Sequence, residues 1–121
     1  YQVTEDMCVI ADASGVIGLG GVMGGMSTGV SAETNDVFIE SAWFDPLRTA
    51  RTGRVTGIHS DARYRFERGV DPQSCMDGLN LALALILEYG GGTATKARVA
   101  GSIPARIQKV TFYHGDVERL T

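Results

Sequence analysis

Between residues 15 and 29 the chain places glycine at Gly15, Gly18, Gly20, Gly21, Gly24, Gly25 and Gly29. No helix tolerates that density, because each interior glycine costs roughly 1 kcal/mol against alanine. What suits it is a tight β arrangement in which another group comes close to the backbone. The flanks agree. Residues 7–13, rich in Val and Ile, read as a strand closed by Ser14-Gly15, and residues 16–22 read as its hairpin partner. Residues 24–35 are polar and glycine-bearing, hence a loop, and residues 36–44 form a third strand through the β-formers Val37, Phe38 and Ile39.

The second half is helical. Asp45-Pro46 and Asp71-Pro72 each pair an N-cap with a proline at the first helical position. The first helix is expected to run to about Val55 and stop near Gly57. The second carries Met76, Leu79, Leu83, Ile86 and Leu87 as a stripe, with Leu81 and Leu85 added, so it is expected to be buried and to end at Gly90-Gly91-Gly92. Between them, Arg63, Arg65 and Glu67 alternate with Tyr64, Phe66 and Arg68, which suggests a short extended segment over 59–69 that packs the rings of Tyr64 and Phe66 inward. Residues 93–103 and 106–113 read as strands and 114–120 as the start of another helix. The fold class is therefore α+β.

Composition sets outer limits. A chain of 121 residues with 44% hydrophobic and 21% charged content is an ordinary globular domain, with room for one modest core. Cys8 and Cys75 have no paired spacing, so they read as reduced thiols and not as a disulfide framework or zinc site. The run Leu81 to Leu87 is too short for a bilayer, no secretory leader opens the chain, and no membrane partner is expected. A first residue of Tyr1 in place of Met reads as a piece of a longer protein.

The net charge of -3 is unevenly spread. Residues 1–47 hold no Lys or Arg, whereas Arg48, Arg51, Arg54, Arg63, Arg65 and Arg68 follow closely. Two readings of this strip stand side by side. It tracks a phosphate backbone, or it pairs with Asp61, Glu67 and Asp71.

The glycine run mimics several catalytic motifs. G-x-G-x-x-G fails at Met23, and a Walker loop lacks its lysine. Gly25-Met26-Ser27-Thr28-Gly29 fits the serine-hydrolase elbow, but that motif needs a strand before the serine and a helix after it, and residues 30–35 are turn-like. What remains is a concave loop whose main-chain N–H groups can hold a carbonyl or oxyanion, or simply a tight hairpin.

Four strings in order, Gly21-Val-Met-Gly-Gly25, Glu40-Ser-Ala-Trp-Phe-Asp-Pro46, His59-Ser-Asp-Ala62 and Phe66-Glu-Arg-Gly-Val-Asp-Pro72, resemble the central domain of bacterial phenylalanyl-tRNA synthetase β subunits. The resemblance runs from about Met7 to Ile103. It implies a three-layer sandwich, strands on strands with helices outside, and a division into residues 1–103 of an editing domain and residues 104–121 opening a winged-helix-like one. It also implies hydrolytic removal of tyrosine misattached to the phenylalanine tRNA, in a cytoplasmic assembly of two α and two β subunits. ATP and magnesium would serve that assembly elsewhere, with no cofactor or metal held by this chain and no DNA partner.

By position, the substrate-binding residues would be Gly24, Gly25, Glu40, Ser60 and Ala62, with Glu40 partly buried at a strand end as acceptor for the tyrosine hydroxyl. Ser60 stands where the family often has Thr. Arg48, Arg51 and Arg54 are the tRNA-contact candidates. The family's catalytic His falls before Tyr1, so no catalytic residue is assigned and the chain by itself is expected to deacylate poorly. An interaction domain without catalysis and a stand-alone deacylase are the alternatives.

Overall fold

A computed structural model describes residues 1–103 together with 109–111, 113, 115 and 119. β1 (Val9–Asp12) and β2 (Gly15–Leu19) form the expected antiparallel hairpin, with a register shift between Ile10 and Ala11. Its turn is closed by Asp12, whose Oδ1 accepts from the Ser14 hydroxyl at 2.6 Å and the Ser14 N–H at 2.8 Å. Those two bonds, the hydroxyl's first, hold the Asp12 carboxyl below the usual carboxylate range. A two-residue β3 (Met23–Gly24), inside what the sequence presents as loop, pairs with β2 and completes a three-stranded sheet in the order β1-β2-β3. A sheet of this kind with helices beside it is an α+β fold, as the sequence predicts.

α1 (Pro46–Thr56) begins where Asp45-Pro46 predicts. The Asp45 Oδ1 accepts from the Arg48 N–H at 2.9 Å, and Gly57 ends the helix at φ +68°. α2 (Asp61–Phe66) corrects the reading of 59–69 as extended. The alternation of rings and charges there imitates a strand, but local capping wins: the Ser60 Oγ accepts from the Arg63 N–H at 3.0 Å. Tyr64 consequently points to solvent while Phe66 is half-buried.

α3 (Ser74–Gly90) also forms, two residues later than Asp71-Pro72 would start it. Asp71 still organises the approach, its Oδ1 accepting from the Gln73 N–H at 2.9 Å and its carbonyl from the Ser74 hydroxyl at 2.7 Å. The expected burial of α3 is not met, as none of its residues is buried and Leu81 remains 62% exposed. Residues 36–44 are not a strand either, and 93–103 are irregular. The readings of 106–113 and 114–120 fall largely outside the described residues.

What holds the described core is small. Met7, Val22 and Ile58 are its buried apolar side chains, and Thr49 and Thr52 are buried beside them. The Thr52 hydroxyl donates to the Arg48 carbonyl at 2.9 Å, whereas the Thr49 hydroxyl has no partner among the described residues. Cys8 and Cys75 are free, half-buried thiols. No helix among the described residues is long and apolar enough to cross a membrane.

The joint between α1 and α2 is held by the Arg63 guanidinium. Arg63 donates from Nη1 to the carbonyls of Gly53 (3.0 Å) and Ile58 (2.6 Å) and from Nε to Glu67 (3.0 Å). Its guanidinium thus satisfies carbonyls at the end of α1 while its own helix pairs it with Glu67. Gly53 makes room for it, since a Cβ there would fall on the stem of Arg63. Gly53→Ala should accordingly be destabilising by about 2 kcal/mol or more. The gain in helix propensity is only ~1 kcal/mol, against bonds to a charged group worth about 1.5–3 kcal/mol each. Urea denaturation of the two proteins measures it, and Gly53→Ala placed in an Arg63→Ala background should lose most of the penalty.

Candidate functional site

The glycine loop bends tightly around one aromatic ring. Gly20 and Gly21 are both buried, and Gly21 takes φ +70°, a conformation that favours glycine. A Cβ on Gly20 would lie 2.7 Å from Phe44 Cε1, and one on Gly21 would lie 3.0 Å from Phe44 Cδ2. Phe44 therefore packs closely against glycine backbone, and a side chain at Gly20 would force its ring to shift. Phe66 of α2 meets Phe44 edge to face, ring centroids 5.1 Å apart at 76°. Gly25 is restricted differently: its N–H donates to the Ile17 carbonyl at 2.8 Å, and a Cβ would sit 2.5 Å from that same oxygen.

Above this floor lies an open cavity of about 880 Å³, bounded by Gly20, Gly21, Gly24, Glu40, Phe44 and Ala62 among others. Three of the sequence-derived residues, Gly24, Glu40 and Ala62, are thus brought to one place from positions far apart in the chain. A Cβ on Gly24 would meet nothing, so that stretch of backbone is open to a ligand. Gly25 and Ser60 are not among the lining residues. Gly25 sits beneath, shaping the loop.

Ser60 acts through the backbone. Its hydroxyl donates to the Val22 carbonyl at 2.6 Å and accepts from the Arg63 N–H. One oxygen thereby caps α2 and ties it to the glycine loop, which sets Ala62 against the cavity. Thr in place of Ser60 keeps that hydroxyl. His59, Ser60, Asp61, Arg63, Tyr64 and Glu67 line a separate shallow notch of about 400 Å³.

Glu40 differs from expectation in its surroundings. It is exposed, lies outside any strand and has no hydrogen-bond or ion-pair partner among the described residues. The sequence placed it partly buried at the end of a strand. Residues 36–44 have no pairing segment among the described residues, so nothing covers the carboxylate.

Five of the six arginines of the strip divide into two groups, and Arg65 is exposed on α2 with no acidic partner among the described residues. Arg63 pairs with Glu67 at 3.0 Å, and Arg68 pairs with Glu67 at 3.3 Å while lying 3.7 Å from the Tyr64 ring centroid. These are structural. Arg48, Arg51 and Arg54 stand exposed along α1 with no acidic partner among the described residues.

Gly25-Met26-Ser27-Thr28-Gly29 contains a 3-10 turn over Met26–Thr28, flanked by extended glycines and not followed by an α-helix. It is not a nucleophile elbow. Among the described residues no group of three or more His, Cys, Asp or Glu is placed to hold a metal ion.

Sequence reasoning missed Phe44 and Phe66 as the floor of the cavity. Their spacing carries no periodic signal, and only the glycines, each requiring a close neighbour, hinted that something packs there.

Residues 1–91, which include the glycine loop, Glu40 and Ala62, are matched by a family model described as a B3/4 domain. The chain belongs to the B3/4 domain family. The chain is also similar along its whole length to phenylalanine–tRNA ligase beta subunits, which bears out the resemblance seen in the sequence. It is 50% identical to that of Mesorhizobium japonicum over 121 residues, 100% of this chain and 15% of the relative. It is 49% identical to that of Rhodospirillum rubrum over 120 residues, 99% of this chain and 15% of the relative. The protein of Bartonella henselae is 46% identical over 121 residues, 100% of this chain and 15% of the relative. The chain thus spans about 15% of the length of the curated relatives it matches.

Proposed function

We propose that this B3/4 domain is the proofreading part of a phenylalanine–tRNA ligase beta subunit, and that its cavity receives tyrosine wrongly esterified to the phenylalanine tRNA. The observation that carries the reading is the convergence of Gly24, Glu40 and Ala62 on one cavity with an aromatic floor. The cavity supplies what ester hydrolysis of an aromatic aminoacyl group needs. Ala62 is small enough to leave space for a ring. Glu40 offers an acceptor for a phenolic hydroxyl. The Gly21 N–H has no hydrogen-bond partner among the described residues and borders the cavity, so the loop has a donor for the ester carbonyl.

The reaction would be attack of water on the ester carbon, with departure of the ribose oxygen, which takes up a proton. The products are free tyrosine and a tRNA with its terminal hydroxyl restored. The protein's part is to hold ester and water in line, and positioning of that kind supplies several kcal/mol. Within this reading the partners are tRNA, an α subunit and a second β subunit in a cytoplasmic tetramer. ATP and magnesium belong to amino-acid activation, on another part of the assembly.

The test is release of tyrosine from tyrosyl-tRNA, and of phenylalanine from phenylalanyl-tRNA, by a full-length ligase carrying this chain. Selective release of tyrosine is expected. Spontaneous rates for both esters would overturn the assignment.

Arg48, Arg51 and Arg54 extend the reading to the body of the tRNA. Three exposed cations on one helix without acidic partners are placed to release counterions from a phosphate backbone. Replacing all three with Ala in the full-length protein should weaken tRNA binding and lower the slope of log affinity against log salt by up to about 2. Thermal stability should stay close to the parent's, since none of the three side chains has a hydrogen-bond or ion-pair partner among the described residues. Titrations at several salt concentrations, read beside a thermal melt, check both parts.

A further inference from the structure

Side chains two residues apart on a helix point to nearly opposite sides. Ala62 of α2 borders the cavity, so Tyr64 faces away from it, into the shallow notch of about 400 Å³ that proofreading leaves unused. The other walls of the notch are His59, Ser60, Asp61, Arg63 and Glu67. Ser60, Arg63 and Glu67 are spent within the fold. The Ser60 hydroxyl bonds the Val22 carbonyl and the Arg63 N–H, and Arg63 bonds Glu67 and two carbonyls. What is left is the Tyr64 ring, 61% exposed, with the His59 imidazole and the Asp61 carboxylate. Both of these are exposed, and neither side chain has a partner among the described residues.

The ring is braced on one face. The Arg68 guanidinium lies 3.7 Å from its centroid, held there because Nη1 donates to the Tyr64 carbonyl at 2.7 Å and to Glu67 at 3.3 Å. Arg68 does not line the notch, so the guanidinium backs the ring from one side and the notch opens on the other. An aromatic face beside a carboxylate acceptor and an imidazole is what a single unpaired base needs, stacking on the ring and hydrogen bonds along its edge. Arg65, exposed on the same helix with no acidic partner among the described residues, adds a cation for an adjoining phosphate.

We infer that this notch binds one of the two cytosines preceding the terminal adenosine of a tRNA, the base stacked on Tyr64 and its N4 amine donating to Asp61. The inference rests on the proofreading reading, which seats the ester of that adenosine in the cavity. The notch lies one helix thickness away, on the order of 10 Å, a distance that an unpaired strand crosses in one or two nucleotides. All tRNAs end in C-C-A, so the base arriving there is a cytosine. Its exocyclic amine is a donor that an aspartate accepts from, whereas uracil presents an oxygen that the carboxylate would repel.

Steady-state release of tyrosine by a full-length ligase carrying this chain tests it, on tyrosyl-tRNA charged chemically so that changes at its end do not act through charging. Tyr64→Ala should raise KM about tenfold or more and leave kcat near the parent's, while Tyr64→Phe, which keeps the stacking face, should match the parent. Uracil in place of cytosine at one of the two positions should cost the parental protein a similar factor in KM. Asp61→Asn should erase that difference, because its amide donates to uracil O4 as readily as it accepts from cytosine N4. A thermal melt should place Tyr64→Ala near the parent, since both the ring and the guanidinium stand in solvent. If it melts far lower, base replacement with the unmodified protein decides alone. A KM unmoved by uracil at either position overturns the inference and leaves the proofreading reading standing, as does a well-folded Tyr64→Ala protein with the parental KM. Tyrosine release no faster than the spontaneous rate in the parental ligase sinks both.

Discussion

Ala62→Trp should abolish clearance of tyrosyl-tRNA by the full-length ligase and leave formation of phenylalanyl-tRNA intact. Ala62 stands in the first turn of α2, half-buried and on the cavity wall. Its position is fixed twice over, by the Ser60 cap to the glycine loop and by Arg63 to the end of α1. The helix cannot easily back away from a larger side chain. An indole brings roughly 150–250 Å² of aromatic surface into a wall now made by a methyl group. It would lie beside the Phe44–Phe66 pair, where a substrate ring would otherwise rest. A thermal melt beside the deacylation assay separates this from misfolding, because a cavity merely filled should leave the melting temperature near the parent's. Normal clearance by a well-folded Ala62→Trp protein would remove Ala62 from the site.

The parts of this fold that were legible in the sequence are those decided within a few residues. Asp45-Pro46 announces α1 because the cap and the proline act on the first turn alone, and the hairpin turn follows from Ser14-Gly15 and Asp12. α2 was written just as locally, in Ser60 followed by an acid at Asp61, but the ring-and-charge alternation from Arg63 to Phe66 outweighed that cap. Residues 36–44 were read as a strand from intrinsic preference. A strand, however, is stabilised by a partner, and none is supplied by the described residues. The burial expected of α3 failed for the same reason: an apolar helix face reports that something covers it and not what does. In the site, Gly24, Glu40 and Ala62 came from the resemblance, and the cavity unites them. Phe44 and Phe66 were invisible because their contact joins separate elements. The even choice between phosphate and ion pairs for the arginines divided along the chain, since Glu67 is within reach of Arg63 and Arg68 but Arg48, Arg51 and Arg54 have no such neighbour.

Glu40→Ala should remove most of the preference for tyrosyl-tRNA over phenylalanyl-tRNA. The two esters differ by one hydroxyl, and a cavity that admits the larger ring admits the smaller. Steric exclusion therefore cannot spare the correct product. A polar acceptor can, because phenylalanine would leave it desolvated and unpaired, and sites built on that principle discriminate by on the order of 10⁴. Glu40 is an acidic residue on the cavity wall close to the aromatic floor, with its carboxylate free of any partner among the described residues. Its exposure in the 121-residue chain weakens the discrimination there, since water can solvate the carboxylate whichever ester is bound. Selectivity is therefore to be measured in a full-length ligase carrying this chain. The ratio of the two deacylation rates, measured there, is the quantity that decides. It should collapse in Glu40→Ala, through slower release of tyrosine, faster loss of phenylalanine, or both. Glu40→Gln should fall between, as its amide oxygen still accepts a hydrogen bond but without the charge that strengthens it. An unchanged ratio in Glu40→Ala would leave the carboxylate without a part in recognition, and discrimination would then have to come from a donor or acceptor elsewhere on the wall.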